Sequence, residues 1–162
     1  MTMQDRQKET TTAREQVAPD RPASLGFLIW HLSQAFNWRA ERALAPLSLT
    51  LSQHCALMVL RGTPGLSTAE LARSCAVTAP AMGRATDELM RRSLIERHPH
   101  PTNRRILQLY ATAEGIETAK RAMELLDPVE HEILRYLSDA ERDLVRGLVT
   151  QMITSAAPYA HW

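Results

Sequence analysis

A chain of 162 residues, 44% hydrophobic and 23% charged, is long enough for one domain with its own core. Its formal net charge is +1, and no apolar run approaches the roughly 20 residues needed to span a bilayer. That balance excludes a membrane span and a wholly polybasic chain, and two cysteines exclude a disulfide-stapled scaffold. Residues 1–20 are polar and of mixed charge, so they read as a flexible tail. No charged-then-apolar start reads as a signal peptide, and the expected location is the cytoplasm.

The first predicted helix runs from near Pro22 to Leu44, with Leu25, Leu28, Ile29, Leu32 and Phe36 as its apolar stripe. Thr50 with Gln53 forms a capping box that opens a second helix, with Ala56, Leu57 and Leu60 inward. Gly62, Pro64 and Gly65 break the chain. Ser67 with Glu70 is another capping box, starting a short helix that ends near Cys75. After a turn at Ala76 and Val77, Thr78 caps a longer helix with Pro80 in its first turn. Met82, Ala85, Thr86 and Leu89 follow its inward face, and Pro80, Arg84, Asp87 and Arg91 the outward one.

Residues 94–98 and 106–111 read as two strands, with Leu107, Leu109 and Ala111 on one face. The loop between them starts at Pro99, which cannot continue a ladder. Asn103, Arg104 and Arg105 fall at its tip. Thr112 caps a helix running toward Tyr136, and Pro128 should kink or split it. Ser138 with Glu141 opens a last helix bearing Leu144, Leu148 and Met152. No internal repeat is visible.

A short helix, a turn, a longer helix and a basic hairpin form a DNA-reading order, in which the second helix enters the major groove. Arg84 is the candidate base contact, because Arg bonds guanine O6 and N7 together. The bland alternative is an Arg paired with Asp87 or Glu88 on its own helix. A cation at the hairpin tip can enter a narrow minor groove. Charge agrees: residues 84–105 carry six Arg and three acids, +3, while residues 113–150 carry five bases and nine acids, −4.

In order and spacing, the stretches 47–53, 67–72, 84–89, 91–95, 101–105 and 112–115 resemble the MarR family of bacterial transcriptional regulators. The resemblance covers roughly residues 25–153. It implies a mainly α winged helix-turn-helix with a small β wing. Residues 48–112 would be the DNA-binding part, and 21–47 and 113–157 the dimerisation helices, within one domain over 21–162. It implies a homodimer on a palindromic double-stranded operator, released by a small phenolic or aromatic ligand. The implied DNA-binding residues are Thr78, Ala79, Pro80, Ala81, Arg84, Arg91, Asn103, Arg104 and Arg105.

Four departures stand out. Asn103 replaces the Asp of the family's wing motif, so a hydrogen bond must stand in for an ion pair. Ser93 replaces the usual Gly after the recognition helix, and Ala76 the common turn Gly. Gly83 replaces a hydroxyl residue on the reading face and weakens that helix by up to about 1 kcal/mol.

Trp30, His31, Trp38 and His54 lie on the helices that flank the family's effector pocket. A Trp could stack on an aromatic effector while a His holds its anion. Otherwise the aromatics are dimer core and the histidines exposed. Trp30 and His31, as neighbours, should point in different directions. Cys55 and Cys75 read as inert buried thiols. Catalytic patterns are missing: His131 and Glu132 lack a second His, since Arg135 stands at that position, and His98 with His100 makes a poor zinc site. No cofactor, metal or membrane is implied. The competing function is a helical protein-interaction or ligand-carrier module with weak DNA binding.

Overall fold

The computed structural model describes residues 23–103 and 105–156. The expected tail at residues 1–20 and the candidate Arg104 lie outside the described residues. The chain divides into two units, Met1–Ser33 and Gln34–Trp162, and helix α1 (Leu25–Leu44) crosses the division. The Ser24 hydroxyl accepts from Phe27 N, and α1 starts at Leu25. The α1 residues Leu25, Leu28, Ile29 and Leu32 are all exposed.

In the second unit a 3-10 turn (Ala45–Leu47) follows α1. Then come α2 (Leu51–Gly62), α3 (Thr68–Ser74) and α4 (Ala79–Arg91). Strands β1 (Ile95–Pro99) and β2 (Leu107–Ala111) lead to α5 (Ala113–Ile133) and α6 (Asp139–Ala156). The three expected capping boxes form, at Thr50 with Gln53, Ser67 with Glu70, and Ser138 with Glu141. The Ser67 hydrogen bonds also hold the Glu70 carboxyl below its usual range. Thr78 and Thr112 cap α4 and α5 with single side-chain bonds.

Helix α2 is the hub, packed against α3, α4, α5 and β2. Its Ala56, Leu57 and Leu60 meet Leu71, Met82, Leu89, Leu109 and Ala119 in one core. The strands pair antiparallel, with Ile95 opposite Ala111 and Pro99 opposite Leu107. Gly65 N donates to Leu109 O and Leu109 N to Leu66 O, tying the hairpin base to the segment before α3. Gly115 sits against the hairpin so closely that a Cβ there would lie 1.9 Å from Leu94 O.

The structure amends several expectations. Pro99 closes β1 instead of opening the loop, because at the end of a two-stranded ladder its missing N–H sacrifices nothing. β2 begins at Leu107, and of its expected inward trio Leu107 is exposed while Leu109 is buried. Pro128 does not split α5. Both Pro128 and Glu124, whose carbonyl loses its partner, are exposed, so water can satisfy the freed group. The helix stops at Ile133, short of Tyr136.

Candidate nucleic-acid interface

α3, the turn at Ala76 and Val77, and α4 form the helix-turn-helix. Ala76 has φ 52°, a left-handed turn residue without the glycine that usually adopts it. Cys75 N donates to Leu71 O and Val77 N to Ala72 O, closing the end of α3. On α4, Met82, Ala85, Thr86 and Leu89 are buried as expected. Thr78, Ala79, Pro80 and Arg84 are exposed, and Ala81 is half-buried.

The acids beside Arg84 are already taken. Arg91 pairs with Glu88, and Arg97 reaches back from β1 to Asp87 at 3.6 Å. Arg84 is thus exposed and without an ion-pair partner among the described residues. Arg91, by contrast, is exposed but occupied. An open groove of about 660 Å³ runs beside α4, lined by Glu41, Thr50, Ser52, Arg84, Asp87 and Arg91 among others.

At the wing tip Asn103 and Arg105 are exposed. The Asn103 Oδ1 accepts from Arg105 N at 3.2 Å, and Asn103 O from Ile106 N at 2.9 Å. Asn103 thus shapes the turn through the backbone and leaves the Arg105 side chain to solvent. His100 N donates to Ile106 O at 2.8 Å, closing the loop. His98 sits 3.1 Å from Glu96 and edge-on to Tyr110. Among the described residues no three His, Cys, Asp or Glu side chains group as a metal site.

Two arginines in this region carry roles that periodicity does not reveal. Arg97 links the wing to α4. Arg92, at the end of α4, donates to the carbonyls of Leu47 and Ser48. Both lie in the basic window, but only their partners, in one case 45 residues away, distinguish them from solvated charge. Ser93 has φ 57°, so this position does take the conformation that favours Gly.

The candidate effector residues occupy different environments. Trp30 and Trp38 are 56% and 63% exposed, and His31 is exposed. Trp30 and His31 do not diverge: their rings meet edge-on at 4.9 Å, with Phe27 4.2 Å from the imidazole. The Arg42 guanidinium lies 4.8 Å over the Trp38 ring. His54 is buried, its Nδ1 has no partner, and burial and then Arg61 push its pKa below the usual imidazole value. Cys75 is buried and Cys55 half-buried, both as free thiols. Donating a hydrogen bond to Cys55, together with burial, raises the Cys75 pKa.

Comparison with known proteins adds to this geometry. The MarR family model matches residues 47–106. The HTH-type transcriptional repressor Rv2887 of Mycobacterium tuberculosis is 33% identical over 133 residues, covering 82% of this chain and 94% of the relative. Crystal structures of that protein superpose with a TM-score of 0.69. The complex with DNA is 28% identical over 81% of this chain and 98% of that one. The complex with p-aminosalicylic acid is 29% identical over 80% and 98%. Apo MarR from Escherichia coli, 23% identical, shares the fold with a TM-score of 0.73 over 82% of this chain and 99% of that one.

Proposed function

The chain belongs to the MarR family, and on that premise we propose that it is a homodimeric, sequence-specific DNA-binding regulator, a repressor released by a small aromatic or anionic effector. The observation that carries the reading is Arg84. It is exposed on the outward face of a capped second helix, and its neighbouring acids are committed to Arg91 and Arg97. An Arg so placed is free to bond a guanine edge. Arg105 on the wing supplies a cation for the adjoining minor groove or phosphates, with Thr78, Ala79, Pro80, Ala81, Arg91 and Asn103 around the same surface. Residues 48–112 are the reading part on this view.

Dimerisation is assigned to the terminal helices, residues 21–47 and 113–157. Leu28 and Leu32 of α1 are 51% and 54% exposed, and Leu144 and Leu148 of α6 are 61% and 49% exposed. A second copy would cover these apolar faces. In such a dimer the two reading helices enter successive major grooves about 34 Å apart. Support for the ligands comes from Rv2887, whose structures hold DNA and p-aminosalicylic acid. Trp30, His31, Trp38 and His54 are the residues assigned to effector recognition. His54, kept neutral by burial, offers an effector a hydrogen bond through its unpartnered Nδ1 instead of a charge. Among the described residues no single helix is long and apolar enough to cross a membrane. A regulator of DNA acts in the cytoplasm, and the reading assigns no catalysis.

The test is fluorescence anisotropy on DNA from upstream of the protein's own gene against random DNA, at two salt concentrations. Specific binding well above random supports the reading, and Arg84→Ala should erase that difference. Equal loss on random DNA would sink the base-contact role. Weak, equal binding by the wild type would favour an interaction or carrier module instead.

A further inference from the structure

We infer that Arg92 is a positioning residue: it fixes the angle between the reading helix α4 and the corner where α1 turns into α2, and so sets the half-site separation that the dimer accepts. The inference rests on the proposed dimeric DNA-binding function.

The corner is the 3-10 turn Ala45–Leu47 followed by Ser48 at φ 49°. The last carbonyls of a helical run have no partner within it and carry the negative end of its dipole. Arg92, the residue that ends α4, supplies what they lack. Its Nη1 donates to Ser48 O at 2.7 Å and its Nη2 to Leu47 O at 2.9 Å. A planar guanidinium bonded to two adjacent carbonyls fixes direction as well as distance, which a point charge cannot do.

The other restraints on this angle are apolar, from Met82, Ala85 and Leu89 of α4 packed in the core with α2. Among the described residues no other hydrogen bond or ion pair joins α4 to the corner. Glu41 braces the corner only from α1 to α2, accepting from Leu51 N. Leu44, Leu49 and Leu89 share the core, but apolar contact is non-directional. On the outer side, Glu41 and Ser52 line an open groove with Arg84 and Arg91 instead of a packed seam.

The lever is long. Arg92 holds one end of α4, with Arg84 about 12 Å and Ala79 about 20 Å along the axis at 1.5 Å per residue. A tilt of about 10° about the anchored end moves Arg84 about 2 Å and Ala79 about 3.4 Å, the latter the rise of one base pair. Arg92 thus acts on which spacing is accepted without touching a base.

The test uses the full-length dimer and a half-site selected from random duplexes by the wild type. Duplexes carry two copies at the preferred spacing, at one base pair more or less, or a single copy. The wild type should prefer one spacing sharply. Arg92→Ala should lower that preference by roughly tenfold, the worth of one charge-assisted hydrogen bond. Its affinity for the single half-site should stay within about twofold of the wild type. Arg92→Lys, which keeps the charge but not the paired geometry, should fall between. If Arg92→Ala does not fold, Arg92→Lys alone decides: a spacing profile equal to wild type overturns the proposal. Loss on every duplex alike, single half-site included, also overturns it. A wild type without any preferred duplex overturns the DNA-binding reading itself, and the positioning role with it.

Discussion

Ser93→Gly should stabilise the protein. Ser93 turns the chain out of α4 with φ 57°, a conformation that costs a residue with a Cβ about 1–2 kcal/mol. Its side chain returns nothing. Ser93 is exposed, and its bonds run through the backbone, N to Met90 O and O from Thr112 Oγ1. Glycine relieves the strain but loses more backbone entropy on folding, about 0.5–1 kcal/mol. The net gain is about 0.5–1 kcal/mol, or roughly 1–4 °C in Tm for a chain of this size. Urea unfolding at one fixed protomer concentration measures it, since a dimer's apparent stability depends on concentration. DNA affinity should not change, because the substitution lies beyond the reading face. An unchanged or lower midpoint at equal m-value would refute the strain argument.

Three further outcomes are expected. Gly115→Ala should destabilise by about 1–3 kcal/mol, since its Cβ would meet Leu94 O at 1.9 Å and the backbone there cannot yield cheaply; a wild-type midpoint would show that the hairpin shifts freely. His54 has a folded pKa below its unfolded value, so it remains neutral in the fold while the unfolded chain takes up its proton first. Its contribution is complete above about pH 6.5 and is lost as pH falls below that value, by no more than about 1.4 kcal/mol per pH unit. His54→Leu should flatten the difference in unfolding free energy between pH 7.5 and 5.5, and equal slopes in both proteins would disprove the assignment. Arg105→Ala should lower the slope of log K against log salt by about one without changing Tm; an identical slope would show a wing that does not engage DNA.

Local chemistry made much of this protein legible in one dimension. The capping boxes at Thr50, Ser67 and Ser138 need only residues three apart, so they mark helix starts wherever the helix packs. The inward face of α4 follows from a 3.6-residue period. The unusual turn residues Ala76 and Ser93 showed as departures from a motif, and both adopt positive φ.

What the sequence left open depends on partners distant along the chain. Whether Arg84 is free turned on Arg97, ten positions on and in a strand, capturing Asp87. That Arg92 grips Leu47 and Ser48 follows from how α4 packs beside the corner, since no local rule pairs residues 44 and 45 apart. Pro128 breaks helices by rule, yet α5 continues through it, at a position where Pro128 and Glu124 are both exposed. His54 occupies one helix position but two possible fates, and only the surrounding elements bury it and strip Nδ1 of a partner. Caps, periods and charge blocks are written over a few neighbouring residues and survive in any context. Pairing, burial and helix angle are properties of surfaces brought together from far apart in the chain, and they exist only once the tertiary structure has formed.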